Sequence, residues 1–188
     1  IVTGPQSTGG ALNFVTPVGN EKSDIQFTLA RGAFNQIKGA ISGEVLPTKR
    51  TQLLFGLAHH EASGFHTIQD KQGGGFNLND GYLKLIHHLD NKDKHHLEML
   101  VAGTSERSEQ TYLGTTLSTA STSPNERYFS SSNDEMTMDR LMTRLGYTIN
   151  LKQGFIRADV YRQNVHRNWY KLNKIDAGNG AVSIATIL

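Results

Sequence analysis

Arg140-Leu141-Met142-Thr143-Arg144-Leu145-Gly146-Tyr147-Thr148-Ile149 is the stretch that decides the fold. Leu141, Thr143, Leu145, Tyr147 and Ile149 share one face at a spacing of two, and Arg140 and Arg144 face away. Side chains of a β-strand point alternately to its two faces, so this period describes a strand with one apolar side. The same period recurs on both sides of it. Upstream, Ile25, Phe27 and Leu29 alternate with polar or small residues, as do Ile37, Gly39, Ile41, Gly43 and Val45. Leu53, Phe55 and Leu57 follow, then Leu83 and Leu85 against Tyr82 and Lys84, then Leu97, Met99 and Val101. Downstream, Ile156, Ala158 and Val160 oppose Arg157, Asp159 and Tyr161, in an extended stretch that runs on toward Trp169. No amphipathic helix is read between these seven segments, so the expected class is all-β and antiparallel.

Composition narrows the class further. The 188 residues include 19 Gly and 4 Pro, contain no Cys and carry a net charge of +2. That charge is too small for a nucleic-acid surface. Without Cys there are no disulfides and no thiolate metal sites. A mean hydropathy of −0.42 and the lack of any apolar run near the ~18 residues of a transmembrane helix point, taken alone, to a soluble chain. A membrane β-strand shows lipid only every second side chain, so a barrel wall keeps a polar average and escapes that inference.

The connections separate the two cases. Outer-membrane barrels alternate short periplasmic turns with longer external loops. Here short, turn-forming links fall at Pro47-Thr48-Lys49-Arg50, Asp90-Asn91-Lys92-Asp93-Lys94 and Lys152-Gln153-Gly154. Between them lie a Gly/polar loop from about Ser63 to Phe76 and a Ser/Thr-rich one from about Ser108 to Met136. The link at Gly32-Ala33 is the exception, being brief where an external loop belongs.

Gly4-Pro5-Gln6-Ser7-Thr8-Gly9-Gly10-Ala11-Leu12-Asn13-Phe14-Val15-Thr16-Pro17 joins a glycine-rich turn to a short alternating strand. This motif resembles the last plug strand of TonB-dependent outer-membrane receptors, and most of all their ferric dicitrate branch. Glu109-Gln110-Thr111-Tyr112-Leu113-Gly114, Asn125-Glu126-Arg127-Tyr128-Phe129 and Met138-Asp139-Arg140 are similar to the third external loop and sixth strand of that branch. Val160-Tyr161-Arg162 and Arg167-Asn168-Trp169-Tyr170-Lys171-Leu172-Asn173 are similar to the next strand and loop. The resemblance runs to about residue 175 and fades from Ala177 to Leu188.

The resemblance implies that residues 1–18 end a plug domain and residues 19–188 begin a transmembrane β-barrel, supplying about seven of its roughly 22 strands. Seven strands do not close such a barrel, so the chain is expected to be a segment of a longer receptor. Gly4, Gly9, Gly10 and Asn13 are then expected to fit the backbone where plug meets wall. The resemblance also implies an outer-membrane location, a ferric chelate such as iron(III) dicitrate as the transported ligand, no resident cofactor, and energy from the TonB–ExbB–ExbD complex. That complex acts through an N-terminal region the chain does not include, so this segment alone is not expected to transport.

An anionic chelate calls for cations, and Arg offers carboxylates a planar, bidentate donor. Arg127 leads the candidates for its place in the Asn-Glu-Arg-Tyr segment. Arg107, His66, Arg162 and Arg167 follow as loop cations, with Lys71 and His166 behind them. Solvation is the ordinary fate of each. Arg140, Arg144, Arg157 and Asp159 are expected to line the inward wall. His87-His88 and His95-His96 flank one short turn, where antiparallel pairing brings two imidazoles across from each other, and His59-His60-Glu61 ends the third strand. Imidazoles bind zinc, copper and nickel, but supporting ligands are few, so no metal site is assigned. Neither a nucleophile elbow nor a His-Glu-x-x-His motif occurs, and the chain reads as a non-enzyme. A passive or structural barrel, a non-functional remnant, or a receptor for haem, cobalamin or a nickel chelate are the competing readings.

Overall fold

The alternating segments become long strands that pair strictly with their neighbours, because a strand with one apolar face gains most by extending a shared apolar surface. A computed structural model describes residues 23–68, 71–92, 94–111, 113–172, 174–176, 178 and 180–183. The expected plug strand, with Gly4, Gly9, Gly10 and Asn13, lies outside them. In chain order the strands are β1 (Asp24–Arg31), β2 (Ile37–Thr48), β3 (Thr51–Ala62), β4 (His66–Ile68), β5 (Lys71–Gly73), β6 (Phe76–His88), β7 (His95–Ser108), β8 (Glu135–Leu151) and β9 (Gly154–Tyr170). A last hairpin pairs β10 (Lys174–Asp176) with β11 (Ala181–Ser183).

The seven long strands make one antiparallel sheet in the order β1-β2-β3-β6-β7-β8-β9, a meander in sequence order. These are the seven alternating segments of the sequence. No helix among the described residues is long and apolar enough to cross a membrane. β4 and β5 form a separate small hairpin in the β3–β6 connection. A six-residue helix, α1 (Leu117–Thr122), stands in the β7–β8 connection. Periodicity gave no sign of it, since one turn and a half carries no stripe. Its N-cap is Thr116, whose side chain accepts from the Thr119 N–H at 3.2 Å.

Residues directly opposite in an antiparallel pair share a face. One row on the apolar face runs Val45, Leu53, Leu85, Met99, Leu145, Val160 across six strands. The two faces differ sharply in exposure. Leu57 is 61% exposed on this face, whereas Leu54, on the other, is 3% exposed. The sheet therefore curls, crowding one face on its concave side and spreading the apolar one over its convex side.

The apolar band does not follow the rows. On β1 it centres on Phe27, whose row passes through Ile41 to Leu57. On β9 it centres on Ala158, whose row passes through Tyr147, Leu97 and His87 to Thr51. Leu57 and Thr51 stand six residues apart on β3, and six strand steps separate β1 from β9. The band thus drifts one residue per strand. A rise of ~3.3 Å against a strand spacing of ~4.8 Å corresponds to a tilt of about 35°, within the ~35–45° of closed barrels. Among the described residues β1 and β9 each keep one unpaired edge, so this is an open, barrel-like wall.

Candidate functional site

Two sets of polar groups stand out, one on the concave wall and one in the connections above it. On the wall, register brings Lys84, Glu98, Arg144, Arg157 and Asp159 together from four neighbouring strands. Glu98 meets Lys84 at 3.5 Å, Arg157 at 3.2 Å and also Arg144. Arg157 in turn donates to Asp159 at 2.7 and 3.0 Å, and Arg144 lies 3.8 Å from the same carboxylate. Lys84 is 3% exposed. Burial at that depth is sustained because each charge faces an opposite one. The inward placement expected of Arg144, Arg157 and Asp159 is found, and Arg140 shares their face. Lys84 and Glu98 were missed as site residues, although the alternation around Leu83–Leu85 and Leu97–Met99 already assigned them to that face.

The longer connections all leave the same end of the sheet and are stitched to one another. In the β1–β2 turn, Phe34 and Asn35 adopt φ of 56° and 54°, a costly region for a bulky side chain. That turn is held by Ser63, whose N–H and hydroxyl both donate to the Phe34 carbonyl, at 2.9 and 2.7 Å. Gly64, at φ 81°, follows where a Cβ would sit 2.3 Å from the Gly73 carbonyl oxygen, so only glycine fits. The next seam joins β4 to the β7–β8 connection. The Thr67 N–H donates to Asn125 O, and the Arg127 N–H donates to Thr67 O, each at 2.9 Å. At the base of these connections the Glu109 N–H donates to Gly75 O at 2.8 Å.

This seam brings together two of the sequence-derived candidates, Arg127 and His66. Arg127 donates from Nη1 to Pro124 O and Glu126 O at 3.0 and 2.8 Å, and from Nη2 to His66 Nε2 at 3.0 Å. Partial burial, and then the neighbouring Arg127 charge, lower the His66 pKa below its usual 6.5. Arg127 therefore spends three of its five donors on holding the connections in place.

The other candidates lie apart. Arg107, at the end of β7, is bound to Glu135 at 2.7 Å and lies 3.6 Å from Glu109. Arg162 and Arg167, grouped with the loop cations, are strand residues of β9, in line with the extended stretch read toward Trp169, because β8 and β9 stay paired as far as Glu135 and Tyr170. Arg162 lies on the convex face, where its Nε donates to Asn164 at 3.3 Å. Arg167 is on the concave face, 5.1 Å from the Trp169 ring centroid, with Lys171 at 3.9 Å from the same ring. His166, likewise on β9 rather than in a loop, meets Asn168.

At the opposite end, the β6–β7 turn is built on Asp90. Its carboxylate accepts from the N–H groups of Lys92, Lys94 and His95 at 2.8, 3.0 and 3.1 Å. These bonds, with that from Lys94 foremost, lower its pKa below 3.8. The anticipated imidazole pair is His88 and His96, with ring centroids 5.7 Å apart. His87 and His95 turn to the other face and bond Thr51 and Tyr147. Among the described residues no three His, Asp or Glu side chains gather as a metal site. No protein-family model, curated protein or solved structure matches this chain.

Proposed function

We propose that the chain forms part of the barrel wall and external loops of a TonB-dependent outer-membrane receptor that imports a ferric chelate, iron(III) dicitrate or a similar siderophore. The observation that carries the membrane reading is the diagonal apolar band. On β8 it extends from Leu141 to Ile149, about 26 Å along the strand and about 22 Å along an axis tilted by 35°. Transmembrane barrels present a band of ~25 Å. The charged concave wall and the clustering of the longer connections at one end agree with it. The open edges need further strands, since unpaired backbone groups in lipid cost several kcal/mol each.

Iron import follows from the resemblance of Gly4–Pro17 and of the loop segments around Arg127. In that mechanism the external loops capture the anionic chelate and close over the plug. The TonB–ExbB–ExbD complex then draws on the N-terminal region to open a path. The chain performs no catalysis in this reading. The test is uptake of radiolabelled iron(III) dicitrate by cells expressing the complete receptor, with and without TonB. Saturable uptake that requires TonB is expected. Uptake that persists without TonB would make the barrel passive, and no uptake or binding of any ferric chelate would remove the assignment.

A further inference from the structure

We propose that His66 and Arg127 form a proton-sensitive latch that ties the β4–β5 hairpin to the β7–β8 connection, closed while His66 is neutral and released when it is protonated. The latch does not rest on which chelate, if any, the protein carries.

A guanidinium only donates, so the 3.0 Å contact with Arg127 Nη2 requires His66 Nε2 to be an unprotonated acceptor. The ring proton then belongs to Nδ1. That atom is buried without a hydrogen-bond partner, and a Cβ added at Gly74 would lie 2.8 Å from it. Gly74 thus leaves the room that this side of the ring occupies. Protonation turns Nε2 into a donor aimed at a cation, which removes the bond and sets two positive charges about 3 Å apart.

Among the described residues, nothing around the ring offsets that repulsion. From β5, His66 faces Gly73, with Gly74 following, and neither carries a charge. Lys71 stands opposite Ile68 in the register. Within its own hairpin the neighbour is the Phe65 ring, 4.2 Å away. From the β7–β8 connection come Arg127 and the exposed Glu126. Among the described residues only Arg127 acts on the imidazole by charge, and it lowers the pKa, as burial does.

The sign follows. The unfolded or unlatched ring keeps its usual pKa near 6.5, and the latched ring has a lower one. The latch is at full strength above about pH 6.5 and weakens as pH falls through the lowered value. What it guards is a slender seam, the two backbone bonds between Thr67 and Asn125–Arg127.

Hydrogen exchange on the complete protein in detergent or outer-membrane vesicles reads this seam directly. The Thr67 and Arg127 amides should lose about tenfold or more of their protection, corrected for intrinsic rates, between about pH 7.5 and about pH 5. The Leu100 amide in mid-β7 reports that the wall is intact. His66→Gln, which keeps an acceptor but does not titrate, should hold the seam at both pH values. Arg127→Ala should expose the Thr67 amide at both. Unchanged protection in the native protein, or an equal fall in His66→Gln, overturns the latch. So does an Arg127→Ala protein with a protected Leu100 and an undisturbed Thr67. Should His66→Gln lose the wall, the native protein at low pH must match Arg127→Ala at neutral pH, and failure to match counts against the proposal.

Discussion

Arginine substitutions at Ile41 and at Leu141 separate a tilted membrane wall from an ordinary sheet. The two residues belong to one row, which crosses Leu57, Gly81 and Gly103 between β2 and β8. In a soluble sheet the row is the natural unit, and both substitutions would place a cation on the same exposed face at little cost. In a barrel tilted by about 35°, four strand steps displace Leu141 by four residues from the band centre on β8, which is Leu145. Four residues at ~3.3 Å, projected on the barrel axis, are about 11 Å. That distance carries Leu141 from the midplane almost to the edge of a ~25 Å band. Arginine costs roughly 2–4 kcal/mol at the midplane and 0–1 near the interface. If the wall is inserted in a membrane, Ile41→Arg and Leu145→Arg should therefore destabilise the protein by about 2–4 kcal/mol, and Leu141→Arg by less than about 1. The gap, about 1 kcal/mol at the least, amounts to roughly fivefold or more in the folding equilibrium. Denaturant titration of the complete barrel in vesicles, followed by tryptophan fluorescence, measures it. Equal costs at Ile41 and Leu141 would refute the tilt, and negligible costs at all three would refute the lipid-facing assignment.

Glu98→Ala should destabilise the wall by about 3–5 kcal/mol, because it strands Lys84, Arg144 and Arg157 without their shared carboxylate. A drop in denaturation midpoint checks it, and Glu98→Gln should cost less, since it keeps an acceptor. Asp90→Ala should loosen the β6–β7 turn, seen as faster exchange of the His95 amide. The Asp90 contribution is complete above the ordinary carboxylate value near 3.8 and lost as pH falls through its lowered pKa. The native turn should therefore hold at pH 5 and loosen only in stronger acid.

Alternation made the wall legible in advance. Leu141 to Ile149 and the six runs like it needed no tertiary information, because the two-residue period is set by each strand's own backbone. The same reading assigned Arg144, Arg157 and Asp159 to the inner face. It stopped short where partners come from other strands. Lys84 and Glu98 belong to that cluster only because β6, β7, β8 and β9 pair in one register. Arg162 and Arg167 read as loop cations because polar residues above an apolar band look alike in a loop and in a strand. The β8–β9 pairing decided between them. Arg127 and His66 were picked separately, and nothing in the sequence signals that these residues, 61 positions apart, bond each other.

By itself, then, the sequence determined the class of the fold, the seven strands, the two faces of each and the division into short and long connections. All of these are local consequences of side-chain alternation and turn chemistry. Tertiary structure alone decided the diagonal course of the apolar band, the buried charge cluster and the seam at His66 and Arg127. Each depends on register between strands or contact between connections, and a register shift of one residue, invisible to local periodicity, would exchange the faces of an entire strand.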